Sequence, residues 1–126
     1  MTGLKTALQC FFSQFGVPAH LIDDVPPDAK LPYITYSVSL SDFGGQTVQT
    51  AYLWCGKETP YGNLWRTTKM DEIETAFPAG GLMLSVDGGY VILYRNSTDF
   101  LRDWQDPEDS NVIGARISYI AQHNHL

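Results

Sequence analysis

The chain has 126 residues, 44% of them hydrophobic and 13% aromatic, which is enough apolar surface to fold one domain around one core and excludes a disordered polymer. Asp and Glu total 14 against 8 Lys and Arg, a net charge of -6 that repels phosphate backbones and excludes tight nucleic-acid binding. Cys10 and Cys55 are too few for the disulfide framework of a small secreted domain, and no apolar run approaches the roughly 20 residues that span a bilayer, so a soluble cytoplasmic chain with reduced thiols is expected.

Leu4, Leu8, Phe11, Phe12 and Phe15 fall on one face of a helix predicted from about Gly3 to Phe15. Gly16 and Pro18 end it. Ala19 to Asp23 reads either as a short edge strand or as merely extended chain before Pro26-Pro27 removes two ladder donors. Residues Leu31 to Leu40 alternate Ile34, Tyr36, Val38 and Leu40 with small polar residues, the pattern of a half-buried strand. Ser41-Asp42-Phe43-Gly44-Gly45 supplies a turn, and Gln46 to Cys55 returns as the second arm of a hairpin. That arm carries Val48, Thr50, Tyr52 and Trp54 on one face and Ala51, Leu53 and Cys55 on the other, which points to a central position or a covered outer face.

Thr59-Pro60 has the form of an N-cap with proline at the first helical position. It predicts a helix from Pro60 to Phe77, with Trp65, Met70, Ile73, Ala76 and Phe77 on a broad inner face. Arg66 and Lys69 intrude there and are expected to lay their stems along apolar neighbours with their heads in water. Leu82, Leu84 and Val86, then Asp87-Gly88-Gly89, then Tyr90, Ile92 and Tyr94 predict a hairpin closed by a primed turn. The segment Asn96 to Asn111 holds Asp99, Asp103, Asp106, Glu108 and Asp109 with Phe100, Leu101 and Trp104 among them; it reads as a long acidic connection with an aromatic anchor. A last strand alternates Ile113, Ala115, Ile117, Tyr119 and Ala121 against mostly polar residues, and the tail from His123 is expected to fray.

Helix, hairpin, helix, hairpin, acidic loop and strand predict an α+β fold: a single mainly antiparallel sheet with two helices packed on one face, all of 1–126 in one domain. The five carboxylates lack the spacing, central glycine and distal Glu of a calcium loop. The His123-Asn124-His125 tail offers only two imidazoles, and neither cysteine has a sequence neighbour that activates a thiolate. With no nucleophile elbow, phosphate-cradling glycine pattern or zinc-protease motif, neither a metal nor a cofactor is expected, and the chain reads as a non-enzyme. A metal-dependent enzyme built on the acidic loop is the weakest of the rival readings.

The amphipathic first helix, the run Asp28-Ala29-Lys30-Leu31-Pro32-Tyr33-Ile34-Thr35-Tyr36, the strand Val48-Gln49-Thr50-Ala51-Tyr52-Leu53-Trp54 ahead of a helix opening near Tyr61, and a late Asp106-Pro107-Glu108 before an alternating strand stand in a telling order. In that order the chain resembles the small tail-completion, tail-terminator or head-to-tail joining proteins of long-tailed bacteriophages. The resemblance implies a structural virion protein, made in the host cytoplasm, that forms a ring, often hexameric, at the head-proximal end of the tail. The ring stops tail-tube growth and joins the tail to the head connector while DNA passes through without specific binding. Its partners would be further copies of itself, the tail-tube protein and a head-completion or connector protein, with no membrane. The expected interfaces are the Phe43-Gly44-Gly45 turn, the exposed side of the strand at Trp54, and the acidic segment with Asp99, Phe100, Asp103, Trp104, Asp106, Glu108 and Asp109. The alternative from a different class is a peptide- or small-molecule-binding α+β module that pairs a strand at its sheet edge.

Overall fold

The apolar stripe at the start of the chain forms α1 (Leu4–Phe12), which tightens into a single 3-10 turn over Ser13–Phe15 and stops at Gly16. The computed structural model describes residues 3–38, 46–58, 61–97 and 99–125. The Phe43-Gly44-Gly45 turn and the Thr59-Pro60 pair therefore lie outside the described residues. Seven strands follow: β1 (Ala19–Leu21), β2 (Tyr33–Tyr36), β3 (Gln46–Gly56), β4 (Leu82–Val86), β5 (Gly89–Arg95), β6 (Leu101–Gln105) and β7 (Val112–His125), with α2 (Asn63–Ala76) between β3 and β4.

The fold is α+β, with two helices and a mixed seven-stranded sheet curled as a half-barrel. The strand order is β1-β2-β3-β7-β5-β4, with β6 also paired to β7. β1 runs parallel to β2, and the other pairings are antiparallel. β7 is the strand on which the sheet is built. One of its edges pairs with β3 from Gln46↔Gln122 to Gly56↔Val112, and the other is shared by β5 (Gly89↔His125 to Arg95↔Tyr119) and β6 (Leu101↔Ile117 to Gln105↔Ile113). The tail expected to fray is thus ladder-paired as far as His125.

The inner face of the sheet and both helices share one core. Leu8, Phe12, Ile34, Tyr36, Leu53, Ile73, Phe77, Leu93, Ile117 and Tyr119 are all fully buried in it. Phe12 stacks on Tyr36, and Phe77 packs edge-on against Phe11. Aromatic contacts of this kind add roughly 0.5–1.5 kcal/mol each beyond the area they bury. Gln9 fastens α1 to the sheet edge: its Nε2 donates to the Ala19 carbonyl at 2.9 Å and its Oε1 accepts from the Tyr36 hydroxyl.

Besides the tail, four local expectations need correction. First, the acidic connection contains a strand. β5 and β6 lie along the same edge of β7 and are separated by an excursion, described at 96, 97, 99 and 100, that stands opposite the single residue Ser118. The Asn96 amide donates to the Ser118 carbonyl at 3.2 Å, and the Ser118 amide donates to the Phe100 carbonyl at 2.7 Å, so the ladder closes on both sides of the excursion. Beyond Arg95, β7 still had unpaired backbone groups down to Val112, and satisfying them outweighs the weak strand propensity of Leu-Arg-Asp-Trp-Gln.

Second, α2 starts at Asn63 behind Gly62 rather than at Pro60. Third, the heads of Lys69 and Arg66 are not in water. Lys69 Nζ donates to the Phe15 carbonyl at 2.7 Å and pairs with Glu72 at 2.8 Å, while Arg66 lies 3.5 Å from Asp103. A cation on the last carbonyl of the first helical segment satisfies an acceptor the helix leaves open. Fourth, the β4–β5 turn has two residues but is not primed: within the described residues only glycines have positive φ, so Gly88 (φ 77°) alone is left-handed and Asp87 is not. That is the pattern of a type II turn, which needs a glycine at its second central position.

Candidate interaction surfaces

With both helices on one side, the opposite face of the sheet is left without a second layer. The register sends Tyr33 and Thr35 of β2, Val48, Tyr52 and Trp54 of β3, Arg116 and Ile120 of β7, Ile92 and Tyr94 of β5, and Arg102 and Trp104 of β6 to this outer face. At one end of it stands an aromatic cluster. Trp104 and Trp54 flank Gly114 from the two neighbouring strands, meeting edge to face with ring centres 4.7 Å apart. Tyr52 packs at 5.5 Å from Trp104, and Tyr33 lies 6.2 Å from Trp54. Beneath them, the Trp54 indole N–H donates to the hydroxyl of buried Thr35 at 2.9 Å.

Gly114 makes this cluster possible. A Cβ there would collide with the backbone carbonyl of Leu53 on β3, and the Trp54 Cα is 3.4 Å away. A glycine inside a strand marks such a close backbone approach.

The expected site residues divide between several places. Trp54 and Trp104 share the aromatic cluster. Asp99, in the excursion, lies between two cations: it accepts from Arg116 and pairs with Arg102 at 2.9 Å. Phe100 turns to the helix side, edge-on to Phe77 at 5.1 Å with the Arg95 guanidinium over its ring. Asp103 is also on that side, facing Arg66. Asp106 and Asp109 serve the turn from β6 to β7, their carboxylates accepting from the amides of Glu108 and Asn111 at 2.9 Å each, and Glu108 is exposed. The acidic segment is thus part strand and part hairpin turn, with its members on both sides of the sheet rather than on one mobile rim.

Sequence reasoning put Tyr52 on the same face as Trp54 but missed Tyr33, Arg102 and Arg116 as neighbours of Trp54 and Trp104. The alternation of β2 and β3 signals Tyr33 and Tyr52, but where Arg102, Trp104 and Arg116 join them depends on a register that only the fold sets.

Deep in the core, burial pushes the Tyr119 phenol far above its ordinary value and raises Tyr36 and the Cys55 thiol as well. The Tyr119 hydroxyl donates to Gln49 Oε1 at 3.2 Å. These groups are packed between sheet and helices, where they stay neutral and hold the layers together. Among the described residues no three His, Cys, Asp or Glu side chains are grouped to hold a metal ion, and no helix is long and apolar enough to cross a membrane.

A second surface feature is a groove of about 510 Å³ between α1, the end of α2 and β4, lined by Ala7, Cys10, Phe11, Ala76, Leu82 and Leu84. β4 ends the sheet, so its outer backbone edge borders the groove.

Comparison of the chain with protein-family models, curated proteins and solved structures gave no match.

Proposed function

We propose that this chain is a structural virion protein that forms a ring at the head-proximal end of a phage tail, ends growth of the tail tube and joins the tail to the head connector. The observation that carries the reading is the bare outer face of the sheet, where Val48 and Met83 are each 63% exposed beside a cluster of four aromatic rings. A surface of this composition is a protein-binding surface, because aromatic and apolar side chains dominate interface energetics while single-chain domains keep their apolar patches small. The order of elements that resembles the tail-completion proteins supplies the particular assembly. Copies of the chain, the tail-tube protein and a head-completion or connector protein are its partners. The net charge of -6 suits a ring through which DNA passes without adhering. The protein does no chemistry in this reading, and its place is the virion neck after assembly in the host cytoplasm.

Electron microscopy of purified tail tubes with the added protein tests the reading. The expected result is a ring capping one end of each tube and tubes of uniform length. Tubes that lengthen unchecked and carry no cap would refute it.

The apolar groove beside β4 favours a second reading, a module that takes up an extended peptide as an added strand. Its signature is a stoichiometric ligand bound to a monomer, with protection of the Leu82–Val86 amides from exchange.

A further inference from the structure

We infer that the bare sheet face docks a second copy of this chain through the acidic outer side of that copy's α2, so that subunits associate face to back. The inference rests on the ring reading above and names the two patches it needs.

An antiparallel sheet can leave one face to water when its outward residues are polar. Here Val48, Ile120 and Tyr94 form one rung across three strands, and Ile92 and Met83 sit side by side in the next. This apolar band lies beside a skewed charge distribution. Although the chain has 14 Asp and Glu, among the described residues none projects from an outward strand position. Among the described residues the charged groups there are Arg102 and Arg116, and the carboxylate that pairs with both is Asp99 from the excursion. In an acidic protein, a face that is apolar, cationic and free of strand carboxylates is matched to an acidic partner surface.

The opposite side of the same molecule provides one. α2 turns Asp71 and Glu74 outward, both exposed, and carries Leu64 at its first turn with 82% of its surface open to solvent. An exposed apolar knob with two carboxylates along one helix complements an apolar band edged by two arginines. Docking two sheet faces on each other would instead oppose arginines to arginines, at an electrostatic cost. Because helix side and sheet side lie on opposite surfaces of one subunit, their contact is heterologous, the type whose repetition gives a ring when the rotation between copies closes and an open filament when it does not; the ring reading requires the first.

Complementation of two broken variants tests the pairing. Met83→Asp places a carboxylate in the bare face, and Asp71→Lys with Glu74→Lys reverses the helix; all three positions are exposed, so circular dichroism and the melting temperature should stay close to those of the parent. Sedimentation velocity at high concentration, and on purified tail tubes, reads the assembly. Each variant alone should self-associate at least about tenfold more weakly than the parent. Mixed together, the two should give dimers and go no further, because one intact face and one intact helix remain per pair.

A parent chain that assembles while Met83→Asp assembles equally well would overturn the assignment of the face. Mixed variants that stay monomeric, or a Met83→Asp chain whose only loss is contact with the tail-tube protein, would overturn the assignment of the partner. All three of these results leave the ring reading standing. A parent chain that assembles neither alone nor on tubes would remove the ring reading and this inference together.

Discussion

Replacing Gly114 with Ala adds one methyl group where β7 passes closest to β3, with Trp54 and Trp104 closing over the same point. The new Cβ meets the Leu53 carbonyl, which is backbone and cannot rotate away. β7 cannot retreat, because it is paired on both edges at this level, to Trp54 and to Trp104. Relief therefore separates β7 from β3 locally. That loses one or two ladder hydrogen bonds at about 1 kcal/mol each and adds overpacking strain of about 1–3 kcal/mol. Prising the two indoles apart forfeits a further 0.5–1.5 kcal/mol or so, while relief from glycine's strand penalty returns roughly 0.5–1 kcal/mol.

The expected loss is about 3–5 kcal/mol, a large share of the 5–15 kcal/mol that typically holds a domain together, and a fall in melting temperature of roughly 10–20 °C. Urea unfolding followed by tryptophan fluorescence is the assay, since Trp54 and Trp104 report directly on the altered contact. Gly56→Ala is the control: it sits at the end of β3 with nothing within 4 Å of an added Cβ, and should change stability by less than about 0.5 kcal/mol. A loss at Gly114 below about 1 kcal/mol would refute the close-approach reasoning.

Trp104→Ala removes one wall of the outer aromatic cluster but nothing from the inner core, so it should cost about 1–2 kcal/mol and leave the far-ultraviolet circular dichroism unchanged; failure to fold would mean that the ring belongs to the core. Tyr119 and Tyr36 have phenols raised above their ordinary value of 10.0, so above that pH the unfolded chain releases protons that the folded chain keeps. Stability is therefore full below the unfolded value and declines as pH rises past it, and urea midpoints should drop from pH ~10 upward, less steeply in Tyr119→Phe. Arg116→Ala leaves Asp99 with Arg102 alone; the partly exposed pair should cost no more than about 1 kcal/mol, yet amide exchange at Ser118, whose hydrogen bond to Phe100 closes the excursion, should accelerate measurably.

The sequence is legible wherever its pattern is local. The stripe Leu4, Leu8, Phe11, Phe12 and the alternation of Ile113 to Ala121 each name a face that must be buried, and the structure buries both. Tertiary demand overrides pattern elsewhere. Leu101-Arg102-Asp103-Trp104-Gln105 has too little alternation and too much charge to read as a strand, but it sits where β7 has an edge to fill. Asp87-Gly88 names a tight turn correctly, though the dipeptide does not settle its type, because Asp87 keeps a negative φ.

Of the surfaces, the exposed side of β3 at Trp54 follows from alternation alone. Its neighbours Trp104, Arg102 and Arg116 could not be read out, because they come from strands about 50 to 60 residues further along, and chemistry assembled across such gaps depends on pairing rather than on adjacency. Lys69 and Arg66 show the same limit at the core, where the reach of two side chains toward Phe15 and Asp103 carries no sequence signature.

The double pairing of β7 also sets an order of events during synthesis. β1, β2 and β3 on one side and β4, β5 and β6 on the other share no ladder until residues 112–125 arrive between them. Contacts that span most of the chain slow folding, since loop closure precedes the gain from pairing. Without those residues the β1-β2-β3 ladder and the β4–β5 hairpin have no strand between them and β6 has no strand to pair with, so one late strand joins all three parts into the finished sheet.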